Sequence, residues 1–474
     1  FYTKNANGEF TSIYGDKLER HDFGDGQEFR EAKKQLEASG IEMFESDITP
    51  DLKVLAEEYY NAEVPKLHVT NYDIEVDYDP DVGFSSPTNP YAPINSVALH
   101  HDWKNEYIIL AVPPNMAPFK PNNDNWVFGD APEEFMEEMR QIAPWPEDIK
   151  VSVEFCRDEY TLLKRLLEEI EDSDMMVGWN NDTFDWPYIG KRVEKVLGKK
   201  YFARMSFDSI KAPRWREEES AFGGTLLLLD SFGRINADYM KLFKKYEMAE
   251  RPSYKLEAIA NEFLPDLPKL EYEGSLASLY RDNFAWFVRY NIRDTEILQG
   301  FENVLGYVDV ANTMYHMSCG LYKHVGGTIK LAELATINFC HYELPEPMVV
   351  NDIAVAEESG GIQGAFVLIP QRGLQEYVGS VDLASLYPSA IRSLNISPEK
   401  IVGQLRAVNY EELSPDLIKQ VVDSGFDNVE YAKQQKKPLE AYAADLIAAN
   451  RDEEITFTMQ TGEGLTAPAS DSRR

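Results

Sequence analysis

Over the first sixty or so residues, short strand-like pieces alternate with a charged helical stretch around Glu28–Ala38, the pattern of a small α/β module. From Lys66 the pattern changes. Leu67 through Val76 alternates faces with period two and predicts a strand, followed by an acidic loop rich in Pro, Gly and Ser that runs to Ala92. Ser96–Leu99 and Tyr107–Val112 predict a second pair of strands. Asp158–Ile170 repeats at helical period, with Leu162, Leu163, Leu166, Leu167 and Ile170 on one face. Met175–Trp179 predicts a short buried strand, then a loop and a helix over about Phe184–Leu197. Strands alternating with helices predict a mixed α/β domain over residues 67–302. Within it, the polar stretch from Arg214, the Gly223-Gly224 turn and the leucines up to Asp230 predict a long hairpin. Asn283–Tyr307 predicts one long helix and residues 303–350 further aliphatic helices, after which Ser359-Gly360-Gly361 opens a new sheet-bearing segment.

Length and composition narrow this picture. At 474 residues the chain is expected to split into about two to four domains. Hydrophobic residues at 43% and aromatics at 12% supply enough material for real cores and exclude a disordered class. The strongest apolar stretch, Thr225–Leu229, is strand-sized, and no apolar run approaches the ~18 residues of a membrane span. The opening Phe1-Tyr2-Thr3-Lys4 shows no charged-then-apolar leader, so no secretion signal is expected. Cys156, Cys319 and Cys340 are scattered, which fits a reducing compartment and argues against a disulfide frame or a zinc knuckle. The net charge of −34, from 47 basic and 81 acidic residues, argues against a nucleic-acid binder if taken alone. Net charge, however, speaks to association and solubility rather than to a site.

The candidate chemistry lies in three acidic motifs. Asp73-Ile74-Glu75 puts two carboxylates on one strand face, which repel unless a cation sits between them. Mg²⁺ and Mn²⁺, with their oxygen preference, suit such a pair; an acidic strand face open to water is the plain alternative. Asn180-Asn181-Asp182-Thr183-Phe184-Asp185 falls at a strand-to-helix junction, where Asp185 in the first turn complements the helix dipole and Asp182 is a candidate cap. Tyr290 and Asp294, at i and i+4, share one helix face. Taken alone, that pair also fits an amphipathic helix with a half-buried Tyr and an exposed Asp. Together, in this order, the three motifs supply what a two-metal phosphodiester hydrolase requires.

Here the sequence resembles the DEDD-type proofreading exonucleases, in their tyrosine-bearing subgroup. The resemblance implies a ribonuclease-H-like fold for residues 67–302 and two divalent ions, Mg²⁺ or Mn²⁺, per active site. By it, Asp73 would bridge both ions and Glu75 would help hold the first ion and the attacking water. Asp294 would ligate the first ion, Asp185 would support the second mainly through water, and Tyr290 would orient the nucleophile. Asn180 and Phe184 would contact DNA.

A second motif extends the resemblance. Tyr377 through Ser389 predicts a strand ending at Asp382, a tight turn and a helix with Pro388 in its first turn. Asp382-Leu383-Ala384-Ser385-Leu386-Tyr387-Pro388-Ser389 is similar to the first polymerase motif of family B DNA polymerases, and Asn395–Glu399 continues the match. The likeness is strongest to replicative polymerases of T-even-type tailed phages, from Ile13-Tyr14-Gly15 to about residue 405. It implies that Asp382, with Leu383, binds catalytic metals. Leu383, Ser385 and Leu386 would contact the incoming triphosphate, Tyr387 would lie under the deoxyribose, and Gly361, Gly364 and Ala365 would touch template DNA.

The domains this implies are a partial amino-terminal domain (1–66), the exonuclease (67–302), a helical return to the amino-terminal domain (303–353), the first part of a polymerase palm (354–450) and a diverged tail (451–474). The family's second polymerase carboxylate and its basic fingers helix have no counterpart here. The chain is therefore expected to act alone as an exonuclease and to need a carboxy-terminal part or partner chain for nucleotide addition. Expected partners are primer-template DNA, a single-stranded 3′ end, dNTP and a sliding clamp reached through that missing part, with no membrane; the expected location is the cytoplasm of an infected bacterial host. A stand-alone exonuclease and a catalytically silent DNA-binding scaffold are the competing readings.

Overall fold

The computed structural model describes residues 1–77, 81–114, 128–219, 225–352, 373–374, 377, 379 and 381–394, together with the backbone of two paired strands at 454–458 and 464–468. Gly361, Gly364 and Ala365, like the sheet expected from residue 359, lie outside the described residues. Cα packing divides the chain into two compact units. One comprises residues 1–24, 28–47 and 348–474, the other 25–27 and 48–347.

The first unit is built on a small antiparallel sheet of β1 (Tyr2–Lys4), β2 (Phe10–Thr11), β3 (Lys17–Arg20) and β4 (Met43–Phe44), in the order β2-β3-β1-β4. The charged helix α1 (Gly26–Ala38) buries none of its side chains. Tyr2, Leu18, Phe44 and Val349 form the core. Val349 belongs to the returning chain, whose Val349 N–H donates to Thr11 O at 2.9 Å and whose Asp352 accepts from Ser46 N–H at 2.6 Å. The return is thus made by residues near 349, and the helices between 303 and 347 pack with the second unit.

The second unit carries the larger core. It starts with α2 (Pro50–Tyr59) and continues through β5 (Val69–Val76), β6 (Ile94–His101), β7 (Glu106–Ala111), β8 (Gly129–Asp130), α3 (Glu133–Ile142), β9 (Lys150–Phe155), α4 (Glu159–Glu169), β10 (Met175–Gly178), α5 (Asp185–Val196) and the single turn α6 (Lys199–Phe202). Strands β11 (Arg214–Glu219) and β12 (Thr225–Asp230) pair antiparallel from Arg214↔Asp230 to Glu219↔Thr225, forming the hairpin that the leucine run predicts. After them come β13 (Ile235–Asp238), α7 (Tyr239–Tyr246), α8 (Leu256–Phe263), α9 (Leu276–Asp282), α10 (Phe284–Leu305), α11 (Tyr307–Met317) and α12 (Thr328–Tyr342). The expected helix over 283–307 is broken at Gly306, which takes a left-handed conformation (φ 64°) that glycine adopts without a Cβ clash.

Seven strands make one mixed sheet in the order β13-β10-β5-β6-β7-β9-β8. β5, β6 and β7 run antiparallel, while β10 joins β5 and β13 joins β10 in parallel. Because side chains alternate along β5, Tyr72 and Ile74 enter a core with Leu162, Leu163, Leu166 and Trp186 of α4 and α5. The opposite face of the sheet packs on α10. The amphipathic pattern of α4 places its leucines in the first of these cores, and Asp158 caps the helix by accepting from Thr161 N–H. Gly190 lets α5 approach the hairpin closely: a Cβ there would fall 2.5 Å from Leu229 Cδ2.

Candidate metal centre

The site forms where β5 crosses α10. Asp73 and Glu75 stand on the strand face opposite Tyr72 and Ile74, and Asp294 reaches them from α10. Carboxylate oxygens of Asp73, Glu75 and Asp294 all lie within 4.8 Å of one another. Glu75 and Asp294 are buried and Asp73 is half-buried. The fold therefore joins acids separated by more than two hundred residues.

Asp185 approaches from a third direction, at the start of α5. It is buried, and the backbone N–H groups of Asp185 itself and of Ile74, the residue between Asp73 and Glu75, favour its ionised form. The reading of Asp182 as the helix cap is corrected by the structure. The N-cap position is Phe184, with no side-chain cap, and Asp182 instead accepts from Asn236 Nδ2 at 2.6 Å and pairs with Lys241 at 2.7 Å. The exposed Asp294 of the simple amphipathic alternative is likewise excluded by its burial.

Two donors that the sequence did not single out hold the acids. Asn291 Nδ2 donates to Asp73 Oδ2 at 2.7 Å, and Lys269 Nζ donates to Asp294 Oδ2 at 2.8 Å. Lys269 also lies 4.7 Å from the centre of the Tyr290 ring, which Tyr272 meets edge-on at 5.3 Å. Asn291 could have been found from helical spacing, since it sits one turn before Asp294 inside the Tyr290–Asp294 motif. No local pattern marks Lys269, which the sequence leaves in a loop 25 residues upstream.

The electrostatics follow from crowding like charges out of water. Burial, then Asp294 and Glu75, push the Asp73 carboxyl well above its usual range. Burial and Asp294 push Glu75 up to about 8. Burial raises Asp185 to about 7 against the opposing backbone N–H groups. Asp294 is raised by burial, with Lys269 pulling the other way. Burial disfavours the Lys269 charge, yet Asp294 and Tyr290 hold its pKa above the ordinary value. Burial and Asp294 raise the Tyr290 phenol, so it stays protonated at neutral pH.

The residues fit a hard divalent cation. All the ligand atoms are oxygens, and one lysine offsets one of four acids. Asp294 Oδ1 is buried with no hydrogen-bond partner, a costly arrangement unless a cation occupies its lone pairs. Beside the acids a groove of about 850 Å³ is lined by Trp179, Asn180, Tyr254, Lys269, Tyr272 and Tyr290. Asn180 is held in the left-handed region (φ 61°), with its N–H donating to Asp238 Oδ1. Phe184 stacks on Tyr188 at 5.3 Å.

The second motif is seen only in part. Helix α13 (Leu386–Leu394) begins where the sequence places it, with Pro388 in its first turn. Asp382 follows irregular backbone, not the expected strand, among the described residues, and Asp382, Leu383, Ser385, Leu386 and Tyr387 are all exposed. No second cluster of metal-ligating side chains occurs among the described residues.

The fold thus sets a cluster of carboxylates on a mixed α/β sheet, and comparison with known proteins gives its lineage. Residues 41–259 match the family model for DNA polymerase family B, exonuclease domain, and residues 337–451 match that for DNA polymerase family B. The chain belongs to the family B DNA polymerases and carries their exonuclease domain together with part of their polymerase domain. It is 28% identical over 407 residues to the DNA-directed DNA polymerase of Escherichia phage RB69 and 25% identical over 412 residues to that of Enterobacteria phage T4. Each alignment covers 84% of this chain and 43% of the relative. A DNA polymerase of Pyrococcus horikoshii is 23% identical over 337 residues, covering 65% of this chain and 26% of the relative. The chain thus spans less than half the length of the phage relatives it matches. Family B exonuclease and polymerase domains use divalent metal ions. No helix among the described residues is long and apolar enough to cross a membrane.

Proposed function

We propose that this chain removes nucleotides from the 3′ end of single-stranded DNA by metal-assisted phosphodiester hydrolysis, as the proofreading part of a phage-type replicative DNA polymerase acting in the cytoplasm of an infected bacterium. The convergence of Asp73, Glu75 and Asp294 within 4.8 Å carries the reading. Asp73, Glu75, Asp294 and Asp185 are the residues that would hold two ions, Mg²⁺ or Mn²⁺. Bound there, the ions would supply charge stabilisation for the attacking hydroxide and the leaving 3′-oxygen.

The protein's own contribution is placement. Glu75, on the same strand face as Asp73, is suited to hold the attacking water by accepting its proton in a hydrogen bond. Tyr290 keeps its proton and can donate to that water or to a phosphate oxygen, with Lys269 fixing the ring from its face. Asn180, Tyr254 and Tyr272 line the groove beside the acids, and aromatic faces bind unstacked bases without reading sequence.

Nucleotide addition is proposed for the whole polymerase only. There Asp382 and Leu383 would face the metals, Ser385, Leu386 and Tyr387 the incoming dNTP, and Gly361, Gly364 and Ala365 the template. The carboxylate and cationic groups that the reaction needs besides these would come from the remainder of the polymerase, which would also carry a sliding-clamp contact. The test is hydrolysis of 5′-labelled single-stranded DNA with Mg²⁺. Stepwise shortening from the 3′ end is expected, and loss of that activity in Asp73→Ala; equal rates in the two chains would overturn the assignment.

A further inference from the structure

Asp73 sits in a cluster that repels it, and its carboxylate can turn about its side-chain bonds unless something holds it. The side chain of Asn291 is placed to do so. It is fully buried, its Nδ2 donates to Asp73 Oδ2 at 2.7 Å, and its Oδ1 accepts from Ser96 Oγ at 2.8 Å. Ser96 is the β6 residue opposite Glu75 in the strand register, so the chain of contacts is anchored on the sheet that carries the acids. The direction of the amide is set by chemistry. An ionised carboxylate, the form that binds a metal, can only accept, so with Asp73 ionised the NH₂ group faces it, and the serine hydroxyl, free to donate, takes the amide oxygen.

Asn291 differs from Lys269 in a useful way. Lys269 adds a positive charge to the cluster and so competes with a metal for the same field. Asn291 adds a donor without a charge, and it occupies Oδ2 while leaving Asp73 Oδ1 to point elsewhere. We propose that Asn291, held by Ser96, is a positioning residue that fixes which Asp73 oxygen is offered to a divalent ion, an inference that rests on the nuclease reading of this site. An outer partner of this sort governs ligand orientation, and losing one weakens metal binding by about 10–100-fold in comparable centres.

The test uses the full chain carrying Asn291→Leu, which keeps the branched shape and removes the donor, and Ser96→Ala, which removes only the anchor. Mn²⁺ affinity is measured by titration calorimetry and by the metal-induced rise in melting temperature, with single-strand hydrolysis followed alongside. Melting in chelator shows whether each variant is folded. Asn291→Leu is expected to weaken Mn²⁺ binding about 10–100-fold with KM for the strand unchanged, and Ser96→Ala to weaken it less. In an Asp73→Ala background Asn291→Leu should add nothing, because the residue acts through Asp73. Undiminished Mn²⁺ affinity in folded Asn291→Leu overturns the proposal, as does an undiminished further loss in the Asp73→Ala background. If Asn291→Leu does not fold, unchanged affinity in Ser96→Ala overturns it. Full hydrolysis by Asp73→Ala is a separate result that defeats the nuclease reading itself.

Discussion

Replacing Lys269 by methionine removes the positive charge that the structure places among the acids while keeping much of the side chain's length. The lost contact is the 2.8 Å pair with Asp294, whose partners are 22% and 6% exposed. At an effective dielectric near 20, a pair at that distance gains about 6 kcal/mol of Coulomb energy, from which the desolvation of both groups must be subtracted. Breaking a buried pair by removing one partner usually costs about 3–5 kcal/mol, because the other charge is left uncompensated. Here the uncompensated charge also faces Asp73 and Glu75, whose oxygens lie within 4.8 Å. The expected loss for metal-free protein at pH 8 is therefore about 3–5 kcal/mol, or a fall in Tm of roughly 5–15 °C. At pH 5.5 the loss should shrink, because acids with raised pKa values then carry protons and no longer need the lysine. Thermal melts in chelator at the two pH values, followed by Mn²⁺ addition, make the assay. Equal Tm for the two proteins at pH 8 would refute the reasoning, and so would a loss greater at pH 5.5 than at pH 8.

Other expectations follow from the same centre. Asp73→Ala should lower 3′ hydrolysis of single strands by roughly two to four orders of magnitude in single-turnover assays, with little change in fold by circular dichroism. Glu75 and Asp185 titrate near 8 and 7 when folded, against ordinary values of 4.5 and 3.8. The stability they contribute without metal is thus complete below about pH 4 and lost as pH rises through 7 to 8, which chelator melts across that range would detect as a falling Tm. Saturating Mn²⁺ should flatten that dependence. Tyr272→Ala, which opens the aromatic groove, should weaken single-strand binding by about 1–3 kcal/mol per lost stacked base, read as a raised KM, and spare the metal-induced Tm rise. Away from the site, Arg289→Met should cost about 3–5 kcal/mol in chemical denaturation, since Arg289 is fully buried and pairs with Glu296 at 2.9 Å.

Much of this protein could be read along the chain because its signals are local. Period-two alternation placed Tyr72 and Ile74 on one face of β5 and Asp73 and Glu75 on the other, and helical spacing set Tyr290 and Asp294 on one turn of α10. The acidic residues themselves stand in motifs short enough to be recognised. Other features depended on contacts between distant segments. The break at Gly306, the bonding of Asp182 to Asn236 and Lys241, and the arrival of Lys269 at Asp294 each follow from what packs nearby. Periodicity reports which face of an element seeks the core, but it is silent on which partner that face will meet. The energy that brings Asp73, Glu75 and Asp294 together, with Asp185 near enough to feel their charge, comes from burying the apolar sides of β5, α5 and α10, and only the folded sheet decides where their polar sides then converge.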